Sequence, residues 1–417
     1  MKILWVTNIP LPEACQQTGI KCPNAGGWMQ ALLNEITSGE SLRLAVATIY
    51  SGKSFQKFDR NGIRYYLLPF RGNTKSNNHS LKVFFQQIIA DFQPDITHLH
   101  GTEYPWKNAI LPLVPSSQLV VSIQGLVGVY ARYYLAGLSF FDILRNITPR
   151  DILKLRPLWR DQQDFFRRGI EENICLKTAR HVIGRTLWDK AHILTVNPEC
   201  NYHFCNEILH EAFYGPQWKI ENIERFSLFM SQGTYPIKGL HIVLPVVAML
   251  KKRYPTIRLY VGGINITSQG WLHLSGYGKL IKRMIRDLDL EKTIYFIGSL
   301  TADLMVERYL RSHIFICPSS IENSPNSLGE AQILGVPAIA AFVGGIPDMS
   351  RNNSALMYRF EEKEILYRLI IDLFESDEKC HALSEAGRRE AQKRHCRVSN
   401  RQKMLNIYES IYKRIKA

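Results

Sequence analysis

The sequence predicts an α/β protein with two doubly wound domains, each built on a parallel sheet that helices cover on both faces. Short β-rich runs recur along the 417 residues with helical patterns between them, an alternation typical of buried parallel sheets. The alternation breaks near residues 212–224, where Gly215 and Pro216 interrupt the chain, and then restarts. A chain of this length also exceeds the roughly 250–300 residues at which one core stops growing.

The break sets the predicted domain limits. We predict an N-terminal domain over residues 1–218 with an insertion at about 126–168, a C-terminal domain over 219–398, and a terminal helix over 399–417. This helix either crosses back to the N-terminal domain or simply caps the second domain. The predicted strands of the first series are 2–7, 43–49, 96–100, 118–123 and 192–196. Those of the second series are 227–231, 257–263, 293–298, 313–318 and 338–341.

Composition narrows the class of protein and the compartment. The eight cysteines form no CxxC pair, which favours reduced thiols in the cytoplasm. No run reaches the roughly 20 apolar residues that a membrane-spanning helix needs. The net charge of +15 predicts attraction to an anionic partner, and nucleic acid, an anionic membrane surface and phosphorylated small molecules all meet that description.

Sheets of this kind bind ligands beyond the carboxyl ends of their strands, and two facing sheets would enclose a cleft. In the first domain, Gly26 and Gly27 open a helix, where backbone N–H groups can approach a phosphate or a sugar. His98 and His100 are two apart on one strand and therefore share a face. His100 either lines the cleft or is a buried, hydrogen-bonded histidine, and a metal pair is a weaker alternative because no third ligand is near.

The stretch from about 126 to 168 is too long for a simple crossover. Aromatic and aliphatic residues alternate there with many arginines. Basic amphipathic stretches of this type can lie in an anionic lipid interface. The alternative is an inserted helical cover over the N-terminal sheet, and the pattern leaves both interpretations open.

In the second domain, Lys238 and Gly239 stand at the start of an apolar helix. A lysine at that position opposes the helix dipole, so it favours an anionic partner, with an ordinary surface lysine as the alternative. Gly298 ends a further strand.

The most specific stretch is residues 319–335, SSIENSPNSLGEAQILG. Ser324 and Pro325 resemble an N-cap and a first helical residue, and Gly335 ends the helix. Glu322 lies before the helix and Glu330 lies one to two turns inside it. Both carboxylates can face a ligand whose phosphates occupy the helix tip, and a carboxylate pairs well with the vicinal hydroxyls of a sugar or a ribose.

The pattern Glu-x7-Glu in ENSPNSLGE, followed by AQILGVPAIAAFVGGIPD, resembles the donor-site signature of retaining glycosyltransferases of the family numbered four, which have the GT-B fold. The resemblance extends over most of the chain, since the Gly-Gly turn, the HLHG strand end, GRTLWDKA at 184–191 and the Lys-Gly pair occur in the expected order. It implies a nucleotide-diphosphate sugar as co-substrate and no cofactor or metal.

The resemblance also implies roles for individual residues. Glu330 would hold the ribose hydroxyls and Glu322 the hydroxyls of the transferred sugar. The diphosphate would meet Lys238 and, from the other domain, the Gly26–Gly27 turn. Further donor contacts would come from the strand ends and the helix tip, at Gly298, Asn323, Ser324, Asn326 and Ser327. The expected catalytic residues are Glu322, Lys238 and His100, and the acceptor side would be formed by His100, Glu103, Gln124 and Arg185.

Two positions depart from the family pattern. Gly233 stands where an arginine usually precedes the Lys-Gly pair, so Lys238 acts alone or with help from another residue such as Arg185. Gln124 stands where a histidine is frequent, and a glutamine cannot act as a base.

We therefore expect a cytoplasmic glycosyltransferase, peripheral to the membrane, that transfers a hexose-type sugar to a saccharide or a lipid-linked saccharide in cell-surface polysaccharide assembly. A non-hydrolysing nucleotide-sugar epimerase on the same fold is one alternative. A basic nucleic-acid-binding protein is another, although the chain has no recognisable reader motif and its charge is dispersed, so no specific nucleic acid is expected.

Overall fold

The computed structural model describes residues 1–22, 26–38, 42–70 and 75–417, with the backbone alone at 75–78. These residues form two compact units. Unit 1 contains Met1–Gly128, Arg167–Ile208 and His395–Ala417, and unit 2 contains Val129–Phe166 and Leu209–Arg394.

Unit 1 is built on an eight-stranded sheet within the described residues, in the order β3-β4-β2-β1-β5-β6-β7-β8. Its strands pair in parallel except β3, which is antiparallel to β4. The strands are β1 Lys2–Thr7, β2 Arg43–Tyr50, β3 Gln56–Arg60, β4 Ile63–Pro69, β5 Ile96–His100, β6 Leu119–Ser122, β7 His181–Gly184 and β8 Asn201–Phe204. The centre of the sheet is dry, since Ile3, Leu4, Trp5 and Val6 on β1 are fully buried.

Unit 2 is built on a six-stranded parallel sheet within the described residues, in the order β11-β10-β9-β12-β13-β14. The strands are β9 Glu224–Met230, β10 Arg258–Gly262, β11 Ile294–Gly298, β12 Ser312–Cys317, β13 Ala338–Ala341 and β14 Leu356–Tyr358.

Helices cover both sheets. The first eight are α1 Pro12–Thr18, α2 Gly27–Thr37, α3 Lys75–Phe92, α4 Val127–Tyr133, α5 Phe140–Arg145, α6 Pro149–Leu153, α7 Leu158–Thr178 and α8 Leu187–Val196. The others are α9 Leu240–Arg253, α10 Gly276–Asp287, α11 Ala302–Leu310, α12 Asn326–Leu334, α13 Ile346–Met349, α14 Lys363–Phe374, α15 Asp377–Arg394 and α16 Arg397–Lys416.

One predicted strand is wrong. Residues 192–196 end the helix α8, whose N-cap Thr186 accepts a hydrogen bond from the backbone N–H of Asp189. A short apolar run does not by itself distinguish a strand from a buried helix segment, and here the cap determines the outcome. The strands β7 and β8 flank this helix.

The inserted segment was predicted as part of the N-terminal domain, whereas residues 129–166 cluster with unit 2. Buried Ile143 and Leu158 join the unit 2 core, and the ring of His241 on α9 contacts the carbonyl oxygen of Ala136 at 3.0 Å. The division between the units falls after Ile208, about ten residues before the predicted limit at 218. The terminal helix α16 clusters with unit 1.

Within the described residues, no helix has both the length and the apolar character needed to cross a bilayer.

Candidate functional site

The turn that carries Lys238 and the loop that carries Glu322 are held together at the end of the unit 2 sheet. They follow the adjacent parallel strands β9 and β12, and the backbone N–H of Ser320 donates to the carbonyl oxygen of Ile237 at 2.8 Å. Gly239 has φ +72, and a Cβ there would lie 1.9 Å from the carbonyl oxygen of Pro318. Glycine is therefore required at this position for the close approach.

Lys238 and Glu322 form an ion pair between Nζ and Oε1. The hydroxyl of Ser319 donates to the same carboxylate oxygen at 2.8 Å. Burial alone would lower the pKa of Lys238, but the Glu322 carboxylate outweighs it and holds that pKa well above its usual range. A fixed cation and a mostly buried acid, Glu322, thus stand side by side.

The backbone of Glu322 is held from the opposite side by the loop after β13. The N–H of Gly345 donates to the carbonyl oxygen of Glu322 at 3.0 Å. Gly344 has φ +52, and a Cβ there would lie 1.9 Å from that oxygen. These glycines belong to the VGG of the sequence motif, and the close approach gives that part of the motif a physical role.

Glu330 is the fifth of the nine residues of α12. The structure corrects the predicted start of this helix by one residue: Pro325 is the N-cap and Asn326 the first helical residue. Ser327 follows in the first turn, and half-buried Ser324 precedes the helix.

A tyrosine that the sequence analysis missed positions Glu330. The hydroxyl of Tyr309 on α11 lies 3.2 Å from Oε2 of Glu330 and 2.9 Å from the carbonyl oxygen of Ser327. Burial raises the pKa of Glu330 to about 7, and the hydrogen bond from Tyr309 opposes this shift in part. Its carboxyl group therefore titrates near neutral pH.

Helix α4 reaches the same loop within unit 2. The backbone N–H of Asn323 donates to the hydroxyl of Tyr130 at 2.8 Å, and the hydroxyl of Ser320 donates to the carbonyl oxygen of Tyr133 at 2.9 Å. The contact between Asn323 and Tyr130 joins residues 193 positions apart, and no local pattern in the sequence indicates it.

The structure does not place Gly298 beside Lys238 and Glu322. Gly298 ends β11, and the strands β10 and β9 lie between β11 and β12, which corresponds to a distance of about 14 Å at the usual strand spacing. Its backbone is left-handed, with φ +76, and a Cβ there would meet open space.

In unit 1, His98 and His100 share a face as predicted, with ring centroids 3.9 Å apart. His98 is fully bonded: its ring contacts the hydroxyl of Tyr408 on α16 and that of Ser122, each at 2.6 Å. The hydroxyl of Tyr408 also accepts from Nε1 of Trp5 at 3.0 Å. The network joins β1, β5, β6 and the terminal helix.

His100 differs from its neighbour, because neither ring nitrogen has a hydrogen-bond partner among the described residues. Burial, together with His98 and Lys107, lowers its pKa well below the usual range, so the imidazole is neutral. It faces a small cavity lined by Trp28, Leu32, His100, Ser122, Ile123, Ile183, Arg185, Cys205, Asn206, Glu207 and Met404.

The other acceptor-side candidates hold the neighbouring loops. Glu103 accepts from the side-chain amide of Asn8 at 3.1 Å and from the N–H of Gly125 at 3.3 Å. Buried Arg185 is ion-paired with Glu207 and donates to the carbonyl oxygen of Gln124 at 3.2 Å. Its charge is therefore compensated inside unit 1, where it fixes the backbone of Gln124.

Two buried ionisable residues of unit 1 were not singled out in the sequence. Lys107 donates from Nζ to the carbonyl oxygen of His100 at 2.7 Å, and burial lowers its pKa to about 8. Glu172 on α7 accepts from the N–H groups of Val127 and Gly128. Such contacts join distant segments and leave no local signal.

Gly26 and Gly27 open α2 as predicted. Gly26 is the N-cap with φ +85, a conformation that favours glycine. The residues just before it, 23–25, lie outside the described residues. No cluster of three His, Cys, Asp or Glu side chains suited to a metal ion occurs in the described parts of the chain.

Two features define the class of protein: two Rossmann-like sheets, and a group of charged side chains at the strand ends of the second sheet. The whole chain superimposes on GT-B structures, so the fold is GT-B. Sucrose-phosphate synthase from Thermosynechococcus elongatus gives a TM-score of 0.74 at 14% identity, over 99% of each chain. HepE from Anabaena in complex with UDP and glucose gives 0.68 at 14% identity, over 98% of this chain and 100% of that one. WaaG, a glycosyltransferase involved in lipopolysaccharide biosynthesis, gives 0.59 at 14% identity, over 98% and 99%.

Sequence comparisons agree with this class. Residues 215–390 match the family model described as Glycosyl transferases group 1, and this part contains Lys238, Glu322 and Glu330. The gpi3 subunit of phosphatidylinositol N-acetylglucosaminyltransferase from Schizosaccharomyces pombe is 20% identical over 327 residues, which are 77% of this chain and 63% of that relative. The chain thus spans less than two thirds of the relative's length. The domain match thus covers the part of the chain that carries the candidate site, and the solved structures share the fold.

Proposed function

We propose that the protein is a retaining glycosyltransferase that moves a sugar from a nucleotide-diphosphate sugar to a saccharide or lipid-linked saccharide in cell-surface polysaccharide biosynthesis. One observation carries the proposal: the Lys238–Glu322 ion pair adjoins the loop that leads into α12, and Glu330 lies at the middle of that helix. A helix tip with a cation suits a diphosphate, and two carboxylates suit the hydroxyls of a ribose and a sugar.

The comparisons support the donor class. HepE has been solved with UDP and with UDP-glucose, so uridine nucleotides are the first donors to test. The acceptor part of the proposal rests on WaaG, which is involved in lipopolysaccharide biosynthesis, and on gpi3, a subunit of an enzyme named for phosphatidylinositol.

In the proposed reaction, the bond between the sugar's anomeric carbon and the diphosphate breaks while the acceptor oxygen bonds to the same face of that carbon. The acceptor's proton passes to the departing phosphate oxygen, and Lys238 and the first N–H groups of α12 stabilise the charge of the nucleoside diphosphate. Glu322 holds the sugar and Glu330 the ribose. The reaction then requires neither an enzyme nucleophile nor a metal ion.

We assign the binding of the acceptor to His100 and to the backbone that Glu103 and Arg185 hold in place. The neutral imidazole of His100 can both donate and accept a hydrogen bond, and both of its nitrogens are unpartnered among the described residues. A sugar hydroxyl that enters the cavity would satisfy them. Gln124, whose carbonyl oxygen is fixed by Arg185, would contribute a further hydrogen bond.

Thermal-shift measurements with UDP, GDP and ADP test the donor site. We expect one diphosphate to stabilise the protein by about 2.7 kcal/mol at 100 times its dissociation constant. Lys238→Ala should abolish the shift, while Lys252→Ala, an exposed lysine on the neighbouring helix α9, should leave it intact. Equal shifts in both variants would contradict the assignment.

Product analysis with the matching nucleotide sugar tests the reaction. Incubation with the donor and a saccharide should yield a glycoside that keeps the donor's anomeric configuration. An inverted product would contradict the retaining mechanism, and interconversion of the sugar without an acceptor would identify an epimerase instead.

A further inference from the structure

The segment from Ser139 to Arg156 exposes apolar side chains and buries polar ones, which is the opposite of an ordinary surface of a soluble protein. Its outward side chains are large and apolar, with 79% of Phe141, 72% of Leu153 and 78% of Leu155 exposed. Its inward side chains are largely polar and almost fully buried; they include Asn146, Thr148 and Asp151. Scattered exposed apolar residues are normal, but a group of them within 16 residues marks an interaction surface.

We name this surface the docking patch. Its apolar members are exposed residues of α5, of α6 and of the turn that follows: Phe140, Phe141, Leu144, Ile152, Leu153 and Leu155. Its cationic members, Arg145 and Lys154, are exposed among them.

Hydrogen bonds within unit 2 hold the backbone of the docking patch in place. Both short helices begin with capping boxes, Ser139 with Asp142 and Thr148 with Asp151. Nζ of Lys279 on α10 donates to the carbonyl oxygen of Ile147 at 3.1 Å. The polar inner face thus finds its hydrogen bonds in the protein, and this arrangement holds the apolar side chains outward.

Leu155 shows that the patch does not serve the stability of the unit. Its φ is +48, a left-handed conformation that favours glycine or asparagine, and its side chain is exposed. A leucine suits neither the backbone nor the aqueous surroundings. The residue gains a physical role only where its side chain enters an apolar environment.

The segment that carries the patch has a net positive charge. Residues 139–160 contain five cations and two acids, and both acids, Asp142 and Asp151, serve as caps. Arg156 is already paired with Asp161 and Asp164, which leaves Arg145 and Lys154 on the exposed side. Apolar side chains among unopposed cations match an interface in which hydrocarbon lies beneath anionic headgroups.

We propose that the docking patch binds the surface of an anionic lipid bilayer, with its aromatic and aliphatic side chains in the acyl region and its cations at the phosphate level. The inference rests on the patch and not on the proposed reaction, so it stands or falls separately from glycosyl transfer.

Vesicle sedimentation of the full chain tests the proposal, with phosphatidylcholine vesicles that contain about 30% phosphatidylglycerol and with phosphatidylcholine alone. We expect binding to the anionic vesicles that weakens with salt. Phe141→Ser with Leu155→Gly should weaken it about 10-fold or more, because the buried apolar area falls. Arg145→Gln with Lys154→Gln should remove the preference for anionic lipid.

The matched control is Leu304→Ser with Ile365→Ser, which removes two exposed apolar side chains from α11 and α14 of the same unit and should leave binding unchanged. Since glycine suits a positive φ, Leu155→Gly should not lower the melting temperature. Hydrogen exchange on vesicles should show protection confined to residues 139–156.

Other outcomes would overturn the proposal. One is that the wild-type protein does not bind anionic vesicles, and another is that the control variant loses as much binding. A third is that the wild-type protein forms a concentration-dependent dimer and the variant with Phe141→Ser and Leu155→Gly stays monomeric. The last result would assign the patch to a second copy of the chain.

Discussion

Glu330 has a carboxyl group that the fold keeps partly protonated at neutral pH. Its pKa in the folded protein is raised to about 7 from an ordinary 4.5 because burial disfavours the charge. The unfolded chain ionises more readily, so this residue lowers the stability of the folded state as the pH rises from 4.5 to 7, and the full penalty remains above that.

Glu330→Gln should therefore raise the melting temperature by about 2–4 °C or more at about pH 8, and the gain should shrink steadily towards pH 5. Differential scanning fluorimetry across this range measures it. The same variant should bind the nucleoside diphosphate more weakly. A gain in melting temperature that is the same at every pH would show that the carboxyl charge is not the cause.

Glu322 and Glu330 should differ in which part of the donor they affect. Because Glu322 is assigned to the sugar, Glu322→Gln should leave the affinity for the free nucleoside diphosphate nearly unchanged and should lower the turnover about 100-fold. Glu330→Gln should weaken the free nucleotide itself. Calorimetric titration with the diphosphate and with the intact nucleotide sugar separates the two effects, and the reverse ranking would exchange the assignments.

Among the elements, α7 holds the loop that leads from β6 into the first turn of α4 through the side chain of Glu172. Glu172 is 3% exposed and accepts from Thr102 at 2.6 Å, Val127 at 3.1 Å and Gly128 at 3.0 Å. Glu172→Ala leaves these donors unpaired and should cost about 3 kcal/mol of unfolding free energy.

Asn173→Ala, at the exposed neighbouring position, serves as the control for the packing of α7 and should cost little. Urea unfolding of both variants makes the comparison. If the two variants were equally stable, the hydrogen bonds of Glu172 would not be what holds the loop.

The sequence predicted the central strands of both sheets because their apolar runs are bounded by turn residues, as at 2–7 and 313–318. It failed at 192–196, where an apolar run belongs to α8 and the decisive signal is the cap at Thr186. The acidic pair was found because Glu322 and Glu330 lie in one local motif. Tyr130 and Tyr309 were missed because their partners are brought near only by the fold.

At the scale of the whole molecule, buried histidines are distributed unevenly between the two units. In unit 1, burial lowers the pKa of His98 to about 3 and of His181 to about 4, and it also lowers those of His100 and His203. In unit 2, it lowers the pKa of His241 and of His313 to about 4. Each of these groups is neutral in the folded state at a pH where the unfolded chain would bind a proton.

The sign of the effect follows from linkage. A histidine with a lowered pKa contributes stability above 6.5 and loses it as the pH falls towards the folded value, by about 1.4 kcal/mol per pH unit for each group. Each unit also has one opposing acid with a pKa of about 7, Glu172 and Glu330, and these gain stability over the same interval. In unit 1, four of these histidines oppose Glu172. In unit 2, two oppose Glu330.

Unit 1 should therefore lose stability first as the pH falls from about 7 to 5, above the range in which ordinary carboxylates titrate. Hydrogen exchange followed by mass spectrometry should show peptides of β5 losing protection at a higher pH than peptides of β12. The histidine network with Tyr408 predicts that α16 loses protection together with β5, because the hydrogen bond between His98 and Tyr408 joins the two elements. Earlier loss of protection in β12 would mean that charges other than the buried histidines control the acid stability of the molecule.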